Sequence, residues 1–526
     1  MAVKSSPPAS GNRESGVLTH RQVMTVLAGL LLCLFLSAVD ATVVTTALPT
    51  IAGELGGLDS MSWVVTAYLI TSTAGTPLFG KLSDLFGRQR VLQVALAIFF
   101  VGSILCGAAQ SITQLVLARA LQGVGGGGLQ ALAFVVLGDI LSPRERGRYM
   151  GYFTGTYALS GLAGPLIGGF FVDSSSLGWR WIFYFNAPLI VLAALVTVYV
   201  LRLLPVRHVR SRIDWEGSAL LVVGVVCLLL YASLGDDHGW ASASMLALIV
   251  GGVAACVAFV WQEKRAVEPI LPMRLFRDHV FAVGMGLAFF SGATMMAATV
   301  YLPLFLQTVA GASATRAGLL LAPMMLTLTV ASIVSGRFLS RTGRYRPLIR
   351  TGPFILLIGT FGLTRLDVNA KVWHATPWMI VLGLGLGLLM PPLSVAIQNA
   401  VAYTDLGVAT SANTFFRTLG QTYGVAALGA VLAATVRSDI LRRMPDANAV
   451  DVRRLVGSPR AIRALPADQR DTVIGAVAHG VHNAYLVTVP VALVVVVLGW
   501  MLRERALRTT SGIDDARAAA AALAVE

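Results

Sequence analysis

Residues 80–90 read GKLSDLFGRQR. They stand between two apolar runs, WVVTAYLITSTAGTPLF (63–79) and VLQVALAIFFVGSILCGAA (91–109). Lys81, Asp84, Arg88 and Arg90 fall within this one stretch, although only 13% of the 526 residues are charged. The flanking runs are near the length at which a helix crosses a ~30 Å hydrocarbon layer. The stretch therefore reads as a turn between two membrane helices, bounded by Gly80 and Gly87.

Working outward, the same pattern recurs along the chain. Hydrophobic residues make up 56% of it, whereas soluble domains carry ~25% charge and separated apolar faces. The reading is an all-α polytopic membrane protein. Fourteen spans are expected, at 23–48, 60–80, 91–109, 113–137, 149–171, 181–203, 217–234, 242–261, 281–305, 317–336, 347–365, 377–400, 407–436 and 484–502. The formal charge of +14 does not point to nucleic acid, because the basic residues sit in short loops and not on one soluble face. Cys33, Cys106, Cys227 and Cys256 all lie in apolar runs with no metal-ligand spacing, and read as small core residues without a disulfide. The polar N-terminus is long for a signal peptide, so the first apolar run reads as a retained span.

An even number of spans places both termini on one side, and Lys and Arg set which side. With the tails in the cytoplasm, that side holds 27 Lys and Arg against 12 outside. Eight of the 12 belong to the loop 437–480, whose arginines run against the usual bias. A re-entrant or surface-lying hairpin is expected there, including TVIGAVAHGV at 472–481.

The turn has a second copy. Residues 336–346 read GRFLSRTGRYR and align with 80–90 at an offset of 256 residues, with Ser340 in place of Asp84. Both copies follow the second span of a block of six. The expected organisation is a tail (1–22), a six-helix bundle (23–203), a linker with two extra spans (204–280), a second six-helix bundle (281–502) and a tail (503–526). Parallel repeats of this kind suit a transporter with its site at the repeat interface.

Several stretches together resemble one family. GKLSDLFGRQR is similar to the loop motif of the major facilitator superfamily. LARALQGVGGGG (117–128) resembles its span-4 motif, and SGLAGPLIGG (160–169) resembles the span-5 motif of its antiporters, with Ser160 where Gly is expected. AVDATVVTTALP (38–49) resembles the first span of the fourteen-span drug:proton antiporters of the QacA/EmrB type, with Thr46 where Asn is usual. YLPLFLQTVAGASATRAGLLLAP (301–323) also fits that branch. The resemblance covers about residues 23–436. It implies a proton-coupled multidrug exporter of apolar or cationic compounds in the cell membrane, working by alternating access as a monomer, with small-molecule substrates and protons as its partners. An exporter of one endogenous compound, such as an antibiotic, lipid or siderophore, fits the same motifs. A channel or a non-transporting receptor fits them poorly.

Neither phosphate-loop lookalike survives inspection. Gly75-x4-Gly80-Lys81 has Leu82 where Ser or Thr should hold magnesium, and Gly123, Gly125 and Gly128 lie inside a span. No cofactor, metal or enzymatic activity is expected, and the energy source should be an ion gradient.

The resemblance further implies that Asp84 and Arg88 pair with each other or with a helix end of the other bundle, as a latch. The alternative for Lys81, Arg88 and Arg90 is simple topology anchoring, which does not explain an acid. Gly161, Gly164, Pro165, Gly168 and Gly169 make span 5 a costly helix, used either for bending or for close packing. Asp40 and Arg119 are the acid and base deep in spans 1 and 4, and each sits ~9–12 Å inside the outer boundary at 1.5 Å per residue. Burial should favour a protonated Asp40 and Arg119 should oppose it, leaving a carboxyl able to carry a proton. The alternative is a static pair. Candidate substrate contacts are Trp63, Tyr68, Phe290, Met295, Tyr301 and Asn413, each equally readable as packing. Arg417 and Gln421 share a helix face with Asn413, and Arg417 reads as snorkelling to the nearby cytoplasmic end.

Overall fold

The computed structural model describes residues 20–55, 61–174, 177–201, 214–312, 319–368, 372–443 and 465–508, together with residues 316, 370 and 462. The expected tails lie largely outside this set, as does most of 444–464. Among the described residues there are fourteen helices of 16 residues or more. They are α1 (His20–Leu55), α2 (Met61–Phe86), α3 (Arg88–Ala108), α4 (Ile112–Ile140), α5 (Pro143–Asp173) and α6 (Asn186–Leu201, after one turn at Trp181–Tyr184). Then come α7 (Trp215–His238), α8 (Ala243–Glu263), α9 (His279–Thr308), α10 (Ala322–Thr342), α11 (Arg346–Leu363), α12 (Val372–Ala400), α13 (Leu406–Arg443) and α14 (Ala467–Met501). Twelve of them are long and apolar enough to cross a bilayer. The other two are α2, which carries Lys81 and Asp84 near its end, and the 18-residue α11 with Arg346 and Arg350. The chain is a multi-pass membrane protein.

Local chemistry sets the helix ends. Ser142 and Glu145 form a reciprocal capping box at the start of α5, with Pro143 in the first turn. Asp278 accepts from the backbone N–H of Val280 and Phe281 at the start of α9. The two turns of the internal repeat share one device. Gly87 has φ 89° between α2 and α3, and Gly343 has φ 69° after α10. Only glycine takes such angles without cost, which accounts for the aligned glycines.

The expected hairpin is a correction. Residues 472–481 lie inside α14, and α13 runs on through Arg443. Val473, Ala476 and Val477 are buried, so the segment has a packed apolar side and stays helical. Asp439 holds the two helices together by accepting from Arg442 and pairing with His479 Nδ1 at 2.7 Å.

Helices α1–α6 pack on one another, chiefly α2 and α3 on α4, and α1 on α5 and α6. Helices α9–α14 do the same, chiefly α9 on α13 and α14, and α12 on α10 and α11. The two groups meet along α5 with α10 and along α2 with α13. Helices α7 and α8 pair with each other, and α7 lies against α2 and α13. The α2–α3 turn marks one face of the molecule, the turn face.

Candidate functional site

Asp40 of α1 and Arg119 of α4 meet in the interior of the first helix group. Arg119 Nη1 donates to Asp40 Oδ2 at 2.5 Å, and both side chains are fully buried. Three neutral groups complete the cluster. Gln122 Nε2 donates to Asp40 Oδ1 at 2.9 Å and to Ser103 Oγ at 2.8 Å, while its Oε1 accepts from Arg119 Nη1 at 2.6 Å. Asn186 Nδ2 adds a third donor to Asp40 at 2.9 Å. Burying either charge alone is expensive, and removing one partner of such a pair costs ~3–5 kcal/mol. The carboxylate is thus fully satisfied and sealed from solvent. The guanidinium is less complete. Its Nη2 is buried without a hydrogen-bond partner, while its Nε donates to the Val64 carbonyl of α2 at 3.2 Å. Tyr68 of α2 stacks on it at 4.2 Å and donates its hydroxyl to the Ser37 carbonyl at 3.2 Å. Tyr68 is therefore part of this cluster.

Helix α4 reaches this position because of its glycines. A methyl group on Gly123 would overlap the Tyr68 carbonyl of α2, and one on Gly125 would lie 2.6 Å from the Phe99 backbone nitrogen of α3. The run GVGGGG lets α4 touch both neighbours at backbone distance, which is how membrane helices associate closely.

At the other end of α2, Asp84 pairs with Arg88 at 2.5 Å. Arg88 also donates to Asp139 of α4 at 2.7 Å and to Ser83 Oγ at 2.6 Å. The Asp84 carboxylate lies against the first turn of α13, where a methyl on Gly407 would come within 2.5 Å of Oδ1. A carboxylate at a helix N-terminus is electrostatically favourable. Gly80 completes the seam, since a methyl there would overlap Ser411 Oγ. Arg90 is exposed and Lys81 pairs with Glu268 at 2.7 Å. Glu268 belongs to the 264–278 segment, whose Arg274 forms a two-pronged pair with Asp405, 2.8 Å in each arm.

The second seam is α5 with α10. Gly147 and Gly336 touch backbone to backbone, a methyl on Gly151 would lie 2.5 Å from the Ile333 side chain, and one on Gly155 would reach only the Thr329 side chain, at 3.3 Å. The helices diverge from the turn face inward. Arg144 donates to the Ser340 and Arg341 carbonyls at 2.9 and 3.0 Å, at the C-terminal end of α10. Arg146 donates to Gln398 at 2.9 Å. The turn face is closed in this structure.

In α5, Gly164 and Gly168 face α1. A methyl on Gly164 would overlap Thr42, and one on Gly168 would lie 3.0 Å from the Val43 carbonyl. Gly161 and Gly169 face open space, and Pro165 lies in the same unbroken helix. The substrate candidates divide. Tyr301 donates to the Val425 carbonyl at 2.5 Å, and Asn413 to Ser394 Oγ at 3.1 Å, so both tie helices together. Trp63, Phe290 and Met295 are half-buried.

Arg417 does not snorkel. It lies eleven residues into α13, ~16 Å from its start at 1.5 Å per residue. Its guanidinium instead crosses to the first helix group, 5.8 Å from the Phe134 ring and 5.9 Å from the Tyr157 ring. A charge near the bilayer centre costs ~2.5–3.5 kcal/mol. A cation–π contact contributes ~0.5–1 kcal/mol at exposed sites and ~2 when desolvated, and both rings stand near the ~6 Å limit of that interaction.

Gln122, Asn186, Ser103 and Asp139 escaped the sequence reading. Gln122 had a signal, since it stands three residues after Arg119 and so shares its helix face. Neutral amides elsewhere carry none.

Comparison with known proteins follows the same line. The model of the Major Facilitator Superfamily matches residues 30–425. The multidrug transporter protein MdtP of Bacillus subtilis (strain 168) is 40% identical over 412 residues, 78% of this chain and 75% of that protein. Multidrug resistance protein 3 of the same organism is 34% identical, over 94% of this chain and 98% of that one. Among solved structures, the proton:xylose symporter XylE superposes with a TM-score of 0.63 at 14% identity, covering 95% of this chain and 100% of that one. That likeness bears on the fold alone.

Proposed function

Because the chain belongs to the major facilitator superfamily and is a transporter, not an enzyme, we propose that it is a proton-coupled multidrug exporter. Relatives that are multidrug transporters at 34–40% identity support the substrate class. On this reading it is a fourteen-span antiporter of the QacA/EmrB type in the cell membrane. Two six-helix bundles, 23–203 and 281–502, flank the two extra helices α7 and α8. The turn face and both termini are cytoplasmic, so the closed turn face corresponds to an outward-facing state.

The observation that carries the reading is the sealed Asp40 cluster. Its carboxyl holds the exchangeable proton. When Asp40 is ionised it keeps Arg119, with Gln122 and Asn186 filling its other oxygen. Protonation removes the charge that holds Arg119 in place. The guanidinium also touches Val64 and Tyr68 of α2, and α2 carries Gly80 and Asp84 at its other end, against α13. A single helix thus joins the proton site to the latch, and loss of the Asp40 charge biases the position of α2 and so the closure of the turn face.

The test is growth of an efflux-deficient host expressing the chain on a drug panel, with and without an uncoupler. Resistance that the uncoupler abolishes is expected, and Asp40→Asn should abolish it while the protein still reaches the membrane. Wild-type, pH-driven export by Asp40→Asn would remove Asp40 as the proton carrier. Absence of resistance to every drug would replace the multidrug reading with a narrow substrate.

A further inference from the structure

We propose that Arg417 selects substrates bearing an oxyanion, such as a carboxylate, phenolate or phosphate ester on an apolar body. The inference rests on the export reading above and names the substrate chemistry of its cavity.

Arg417 stands where the two helix groups face each other. Its backbone is fixed, because Gly292 of α9 packs directly against the Arg417 carbonyl. Its side chain is half-buried and reaches the rings of Phe134 and Tyr157. Acids on the elements packed against α13 are engaged with other cations: Asp84 and Asp139 hold Arg88, and Asp405 holds Arg274. Of the acids at the start of α7, Asp214 caps its own helix and Glu216 is exposed. On α13 itself Asp439 holds Arg442 and pairs with His479 of α14. Among the described residues Arg417 forms no ion pair.

Aromatic rings stabilise a mid-membrane guanidinium only in part. A cation–π contact uses the guanidinium as a charge and not as a fork of donors, so the two rings do not compete with an oxyanion for its N–H groups. The Tyr157 hydroxyl is buried beside it, with Arg417 as its polar neighbour. An incoming oxyanion would take the two guanidinium N–H groups as a bidentate acceptor and a third donor from Tyr157. One turn further along the same face, Gln421 reaches Met295 Sδ at 4.0 Å. Met295 and Phe290 offer a soft apolar wall for the rest of the molecule.

Two dyes with the same fused-ring skeleton and opposite charge make the test, fluorescein as the anion and rhodamine 6G as the cation. Export is followed in cells expressing wild type, Arg417→Gln, Arg417→Lys and Tyr157→Phe, each at matched membrane levels. Arg417→Gln should lower fluorescein export at least tenfold and leave rhodamine 6G within twofold. Arg417→Lys keeps the charge without the fork and should fall between. Tyr157→Phe should cost fluorescein alone about threefold. Equal loss of both dyes would make Arg417 a purely structural group and overturn the proposal, as would unchanged fluorescein export or a wild type that handles only the cation. If wild type exports neither dye, the breadth of the export reading is what fails, and fluorescein binding to the purified protein decides the anion site. Binding lost in Arg417→Gln upholds the anion site, and no binding to wild type refutes it. If Arg417→Gln does not reach the membrane, Arg417→Lys is read alone, with a fluorescein-specific loss of at least threefold required.

Discussion

Gly336→Ala should open the turn face. In the closed state a methyl at this position would overlap the Gly147 carbonyl of α5. No side chain can turn away to relieve it, because both partners are backbone, so α10 must move off α5. Overpacking of this kind costs ~1–3 kcal/mol. The gain of ~1 kcal/mol from replacing a helical glycine by alanine applies to the open and closed states alike and cancels. Only the closed state carries the clash, so the ratio of closed to open molecules should fall by ~5–150-fold. The assay is maleimide labelling of a cysteine introduced at Ser411, which is buried against Gly80 in the closed seam. It is run on purified protein in lipid nanodiscs with Cys33, Cys106, Cys227 and Cys256 replaced. Labelling should accelerate in proportion to the open fraction. Gly251→Ala is the control, because that position faces open space, and it should change nothing. An unaltered labelling rate in Gly336→Ala, with wild-type efflux, would refute the idea that this backbone contact closes the turn face.

Other expectations concern single contacts. Asp139→Asn removes the 2.7 Å partner of Arg88, and should lower efflux at least tenfold with normal membrane insertion, read as faster labelling at Ser411→Cys. Asn186→Leu withdraws one of the donors to Asp40 without touching a charge. It should slow uncoupler-sensitive efflux yet leave drug binding by the purified protein within twofold. The Lys81–Glu268 pair is partly exposed. A double-mutant cycle on the labelling rate should give a coupling of only ~0.2–1 kcal/mol, fading in high salt; a coupling that persists at 1 M salt would contradict this.

Much of this architecture was legible because charge is scarce in the chain. Asp40 and Arg119 stand out against apolar runs, and the structure brings them within 2.5 Å of each other. The aligned turns were visible through glycines that the backbone angles demand at Gly87 and Gly343. Tertiary partners were harder to see. Asp139 sits near the end of α4, where sequence gives no reason to prefer Arg88 over solvent. Tyr68 read as a pocket wall because an aromatic in a membrane helix looks the same whether it faces a drug or a buried guanidinium. Arg417 read as snorkelling from its distance along the sequence, whereas packing turns it across to the first helix group. The region 437–480 misled because its arginines suggested a loop, while buried apolar residues within it, such as Val473, Ala476 and Val477, extend a helix.

The two seams are copies that have come to differ. In one, a carboxylate from α2 meets the positive end of α13; in the other, where Ser340 replaces the acid, a guanidinium from α5 meets the negative end of α10. Asp84 is largely shielded, whereas Arg144 is exposed. Water and ions therefore compete for one clasp and hardly for the other. On the export reading, release of the turn face should then be an ordered event with a first and a last step, the Arg144 clasp loosening early and the Asp84 clasp yielding late. The waiting time for the whole movement would be set by the sheltered side.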